Sequence, residues 1–186
     1  MNNYPKYIEV KGVKYKINTD FRVALECDEI AKDTTIGEFE KSLAIVYKLL
    51  GEEAIQNYEN LAETLQLCIK YLHCGKEFEE LNNDEEPSMD FEQDQGYIKA
   101  SFMSDYRIDL DEVQIHWWCF CDLMRGLTEN SVLNRVRYVR EEPLTGKKGK
   151  DLENWVKRKK SVELKRKKTS YELEMDKKWE EQMKKE

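Results

Sequence analysis

The sequence predicts a mainly α-helical fold, a small helical domain that opens with a β-hairpin and closes with a long charged C-terminal helix. Three observations predict it. Apolar residues recur at helical spacing through most of residues 20–140. One short stretch near the N-terminus alternates instead. Residues 150–186 are rich in charge and hold neither glycine nor proline.

The alternating stretch is residues 7–17, where branched and aromatic side chains interleave with charged ones around Lys11-Gly12. It reads as strands Tyr7–Val10 and Val13–Ile17 joined by a tight turn. Asn18, Thr19 and Asp20 offer capping oxygens for a helix from Asp20 to Lys32. Thr35-Ile36-Gly37-Glu38 has the spacing of a capping box. Behind it Ile36, Phe39, Leu43, Val46, Tyr47 and Leu50 share a helical face expected to point at the core, and Gly51 is a ready stop. A further helix over Glu59–Cys74 carries Leu61, Leu65, Cys68, Ile69 and Leu72, and Gly75 ends it.

Residues 76–94 hold nine Asp/Glu and one proline, which reads as an exposed acidic loop. Helical spacing returns with Ile98, Phe102 and Tyr106, giving a helix over 94–106, followed by a tight corner at Arg107-Ile108-Asp109. The next helix is expected over 111–125, with Asp109 or Asp111 at its N-terminus. It is apolar nearly all round, so it should lie at the centre with Trp117 and Phe120 buried. Thr128 is the expected cap of a helix over 129–140 that turns Val132, Val136 and Val139 inward.

Charge divides the chain. Residues 1–142 hold 16 Lys/Arg against 29 Asp/Glu, a net of −13, and residues 143–186 hold 15 against 9, a net of +6. The expected organisation is an acidic helical body over 1–142, a hinge over 143–149 containing Pro143, Gly146 and Gly149, and a basic helical tail over 150–186. Acid-first pairs such as Glu153–Lys157 and Glu174–Lys178 each add about 0.2–0.5 kcal/mol to an exposed helix. Tyr171, Met175, Trp179 and Met183 recur every four residues, a stripe too narrow to enclose a core. With Trp155 they are the expected partner-binding residues, facing a partner protein or a second copy of this chain.

Catalytic and metal chemistry are not expected. There are two histidines and five cysteines. Cys119 and Cys121 on one helix point about 200° apart and cannot chelate together. Neither Cys68 with His73-Cys74 nor His116 with that pair makes a compelling zinc set, so free thiols are expected. Thr145-Gly146-Lys147-Lys148-Gly149-Lys150 lacks the spacer and hydroxyl of a phosphate loop. Asp105, Asp109, Asp111 and Glu112 lack the glycine and order of a calcium loop. No nucleophile with a base and an orienting group stands out. The expectation is a protein that is not an enzyme and has no cofactor and no metal. Basic clusters at 157–160 and 165–168 alternate with acids, which favours a solvated helix face over nucleic-acid contact. With no long apolar run and no leader-like N-terminus, a cytoplasmic, non-membrane protein is expected.

The run from Tyr97 and Ile98 through Phe102, Tyr106-Arg107-Ile108-Asp109-Leu110 and His116-Trp117-Trp118-Cys119-Phe120 to Leu123, Met124 and Leu127 resembles a known signature. It is similar to the phage and prophage family of Gram-positive hosts named for gene product fifteen. Residues 13–22 and 136–140 also resemble it, so the likeness spans about residues 7–142 and part of the tail. Arg107 departs from the glycine usual at the corner, and Cys119 departs from a common basic residue. The resemblance implies tail morphogenesis, with a role like that of the chaperones that coat the tape measure protein before the tail tube forms. It transfers no catalytic residue. Two other readings stand beside it: a structural virion connector or tail-completion protein, and a nucleic-acid-binding regulator acting through the basic tail.

Overall fold

Three of the helices begin where a side chain, that of Asp20, His116 or Ser131, accepts a backbone N–H that the helix itself cannot satisfy. The computed structural model describes residues 4–56, 58–76, 87–165 and Met175. Strands β1 (Tyr7–Val10) and β2 (Val13–Lys16) pair antiparallel, Tyr7 opposite Lys16 and Val10 opposite Val13. Lys11 and Gly12 both take positive φ, 47° and 84°, as a two-residue hairpin turn of this hand requires. Eight α-helices follow among the described residues: α1 (Phe21–Lys32), α2 (Glu38–Leu50), α3 (Glu52–Gln56), α4 (Leu61–Leu72), α5 (Gln95–Tyr106), α6 (Trp117–Arg125), α7 (Val132–Glu141) and α8 (Gly149–Ser161). A 3₁₀ turn, Tyr58–Asn60, leads into α4. The fold is mainly helical with an N-terminal hairpin, as the sequence predicts.

Aromatic rings form the middle of the core. Phe120 of α6 is fully buried and stacks on Phe21 at 4.7 Å, on Phe102 at 5.2 Å and on Trp117 at 5.7 Å between ring centroids. Three helices thus meet on one ring, and burial of Trp117 and Phe120 agrees with expectation. Around them lie Val10 and Ile17 of the hairpin region, Val46 and Leu49 of α2, Cys68 and Tyr71 of α4, and Leu133 of α7.

Several boundaries differ from those read in the sequence, each for a visible reason. Residues 111–116 are not helical. The Arg22 guanidinium collects the carbonyls of Leu110, Asp111 and Val113 at 2.6, 3.3 and 3.0 Å. Phe21 N–H donates to Ile115 at 2.9 Å, and Trp117 N–H donates to Thr19 at 2.8 Å. These partners take backbone groups a helix would need, so α6 starts at Trp117. Its cap is His116, not Asp109 or Asp111. Helix α7 likewise starts after Ser131, which caps it, because Thr128 is turned away to donate its N–H and hydroxyl to Asp105 at 2.8 and 3.0 Å. Leu133 and Val136, rather than Val132 and Val139, are its buried residues.

Helix α2 departs most. No capping box forms: Gly37 is the N-cap without a side-chain bond, and Thr35 donates its N–H and hydroxyl to Asp33 at 2.7 and 2.6 Å. The buried face is Ile45, Val46, Leu49 and Leu50. Three residues expected inside, Ile36, Phe39 and Tyr47, are 37%, 63% and 51% exposed. At 100° per residue the apolar arc of α2 is about 200° wide, broader than one core-facing stripe. Helices α1 and α4 cover only part of it.

Residues 87–94 correct the reading of 76–94 as a uniformly exposed loop; residues 77–86 lie outside the described set. Met89 and Phe91 pack on the core, and Asp94 is fully buried. Its carboxylate accepts two bonds from Arg140, at 2.6 and 2.7 Å, and one from the Asp90 N–H at 3.0 Å. Helix α8 closes at Ser161, with Val162 as its C-cap, rather than running on through 162–165. Arg140 Nε reaches the Val162 carbonyl at 2.6 Å, and Lys159 Nζ reaches the Arg140 carbonyl at 2.6 Å. The stretch 143–149, read as a hinge, is bridged by Lys147 with Glu142 at 2.8 Å.

Candidate partner-binding surface

The His-Trp-Trp run that stands out in the sequence is framework. His116 Nδ1 accepts from the Trp118 N–H at 3.0 Å, and Nε2 faces the Pro5 carbonyl at 2.9 Å. The tautomer protonated on Nε2 satisfies both. Trp117 and Trp118 donate their indole N–H groups to the carbonyls of Leu72 and Tyr71 at 2.8 and 2.9 Å. Those are among the last carbonyls of α4; the Tyr71 carbonyl also accepts the Cys74 N–H at 3.0 Å, so the indoles complete the end of the helix together with the chain's own turn. Helix α6 therefore caps α4, and the aromatic pair is spent inside the protein.

The thiols divide by environment. Burial pushes Cys27 and Cys68 up to about 12, so they are inert core groups. Cys74 is lowered to about 7, first by a hydrogen bond from the Cys121 thiol and then by Arg125, while burial opposes both. Cys121 is raised correspondingly by the bond it gives Cys74. Among the described residues no group of three or more His, Cys, Asp or Glu is arranged to hold a metal ion. A cleft of about 880 Å³ opens between β2, the end of α2 and residues 114–116. Its lining mixes Lys16, Asp20, Tyr47, Lys48 and Ile115 with His116, whose ring nitrogens both have partners. No nucleophile and base converge there.

Trp155 is the sequence-predicted anchor that is described in full. It is half-buried on α8, with the Tyr138 ring edge-on at 6.3 Å, Lys147 Nζ over its face at 4.4 Å and Arg158 at 5.5 Å. It fastens α8 to α7. Met175 is helical and 37% exposed. Tyr171, Trp179 and Met183 lie outside the described residues. In the basic cluster 157–160, Arg158 lies against Trp155 and Lys159 binds a carbonyl, so two of its four cations are engaged within the chain.

Sequence reasoning missed the outward face of α2, where Phe39 and Tyr47 stand exposed with Leu43 half-buried between them, and Ile36 just before the helix is exposed as well. The width of its apolar arc was the signal that could have revealed it. Phe39 and Tyr47 are aromatic, the residue type enriched at protein interfaces.

The family model described as Bacteriophage Gp15 protein matches residues 1–179. This chain belongs to that family. Gp15 membership makes it a phage-related structural or morphogenesis protein, and the match covers the described fold and extends well into the charged C-terminal segment. No curated protein and no solved structure matches the Gp15 chain. Among its described residues no helix is long and apolar enough to cross a membrane. The Gp15 corner keeps glycine-like backbone even though Arg107 occupies it. Arg107 sits at φ 57°, ψ 34°, with its N–H on Met103 and the Ile108 N–H on Phe102 at 3.1 and 3.3 Å.

Proposed function

We propose that this Gp15-family chain is a non-enzymatic assembly chaperone of phage tail morphogenesis that covers the tape measure protein until the tube assembles. The observation that carries the reading is the open apolar face of α2, Phe39 and Tyr47, with Ile36 just before it, on a chain of a phage family. A tape measure protein is expected to be a long helical rod, and rods with apolar stripes associate with one another unless covered. A small acidic body with an exposed apolar helix face suits transient cover, and the C-terminal stripe of Tyr171, Met175, Trp179 and Met183 supplies a second contact of the helix-in-groove kind.

The test is co-expression with the tape measure protein, followed by affinity isolation and by analysis of purified particles. A chaperone keeps the tape measure protein soluble, co-purifies with it and is absent from finished particles. Stoichiometric presence in particles would overturn the proposal in favour of a virion connector or tail-completion part. Steeply salt-dependent DNA binding without tape measure binding would favour a nucleic-acid regulator.

A further inference from the structure

We infer that the exposed face of α2 is the docking site of this chain's own C-terminal segment, residues 166–186. The inference stands on geometry and does not rest on the assembly reading; a partner that uses the α2 face has to displace this segment first.

The described chain runs to Lys165, and what holds Lys165 fixes where the remainder sets out. Its N–H donates to Gln93 Oε1 at 2.7 Å, and its carbonyl accepts from Gln93 Nε2 at 3.0 Å. The Gln93 N–H is held by Asp90 Oδ1 at 2.9 Å, and Asp90 Oδ2 is bound by Lys32 Nζ at 2.9 Å. Lys32 is the last residue of α1, and five residues, 33–37, separate it from α2. The C-terminal segment therefore leaves the body at residues 90–93, which Lys32 ties to the end of α1, and the connection 33–37 leads from there into α2. The five residues between Lys165 and Tyr171 reach about 20 Å when extended, enough to bring Tyr171 onto that face.

Length and charge fit the same occupant. As a helix, at about 1.5 Å per residue, Tyr171 to Met183 would span about 18 Å, enough to cover Phe39 to Tyr47, about 12 Å apart along α2. Met175, within the stripe, is helical and exposed, so its side chain is available to dock. The first residues to arrive are Arg166-Lys167-Lys168, and they meet the acidic start of α2, where Glu38 and Glu40 stand on a helix preceded by Asp33. Residues 26–53 as a whole hold eight carboxylates against three lysines. Docking would cover Phe39 and Tyr47, which are 63% and 51% exposed.

Photo-crosslinking in the full-length chain tests this, with p-benzoylphenylalanine at position 39 and, as a control, at the exposed Tyr7 on β1. The expected product is an intrachain link from position 39 to residues 169–183, found by peptide mass analysis in the monomer band and unchanged on tenfold dilution. The control position should give no such link. Met175→Glu with Trp179→Glu should cut the yield at least tenfold. Met175 is exposed, and circular dichroism verifies the fold of the double variant. A link found only in a dimer band that fades on dilution would make a second copy the occupant and overturn the inference. So would a position-39 probe that gives no link to the C-terminal segment.

Discussion

Replacing Arg140 by methionine tests the joint between residues 87–94, α7 and the chain beyond α8. The side chains of Arg140 and Asp94 are 10% and 1% exposed, and their fork-to-fork bonds measure 2.6 and 2.7 Å. Methionine keeps much of the volume but leaves the Asp94 carboxylate buried with only the Asp90 N–H. It also strips a donor from the carbonyls of Ser88 and Val162. Removing one partner of a buried ion pair costs about 3–5 kcal/mol. For a domain of this size that corresponds to a melting temperature lower by about 6–20 °C. Asp94→Leu combined with Arg140→Met removes both charges, so it should be clearly less destabilised than the sum of the single variants. Urea unfolding followed by tryptophan fluorescence gives each value. An Arg140→Met chain within about 1 kcal/mol of the parent would refute the reasoning.

Three further outcomes are expected. Trp117→Ala should destabilise by about 3–5 kcal/mol in the same assay, because it empties a core site and orphans the Leu72 carbonyl. Arg107→Gly should raise stability by about 0.5–1 kcal/mol in thermal melts, since Arg107 is exposed and held at φ 57°. Alkylation of Cys74 should rise with pH through a midpoint of about 7, because Cys121 and Arg125 favour its thiolate; Cys121→Ala removes the thiol donor and should move that midpoint upward. Peptide mapping should find Cys27 and Cys68 unmodified in the native chain.

The elements that were legible in the sequence are those whose signals are local. Lys11-Gly12 marks its turn, Asp20 caps α1 through the Arg22 N–H at 2.9 Å, and Gly51 closes α2 at φ 84°. What the sequence hid depends on partners far along the chain. The start of α6 shifted because Arg22, 88 residues before Leu110, takes carbonyls from 110–113. Asp94 sat in an acid-rich stretch that reads as solvated, and only Arg140, 46 residues later, draws it inside. Helix α2 was recognised, and Val46 and Leu50 of its shared face are buried, but Phe39 and Tyr47 stand exposed while Ile45 and Leu49 are buried in their stead. Hydrophobic periodicity can locate an apolar arc wider than the core needs, but which side the neighbours cover is decided by tertiary packing. In the candidate surface, Trp155 was read as a partner anchor, and it packs within the chain because Tyr138 and Lys147 lie close only once α7 and α8 have folded together.

The pairing of Asp20 with His116 has a consequence for how the chain can be divided. These residues lie on either side of the acidic stretch, and they are the N-caps of α1 and α6. The backbone bonds from Phe21 to Ile115 and from Trp117 to Thr19 stitch the two helix starts into one knot. The Pro5 carbonyl and the Tyr4 ring, 5.0 Å from the His116 ring, are drawn into it as well. Neither helix start is complete while the other half of the polypeptide is missing. Residues 1–76 and 87–186 are thus two strands of a single splice, so the pieces produced separately should each be poorly ordered and should regain structure when mixed.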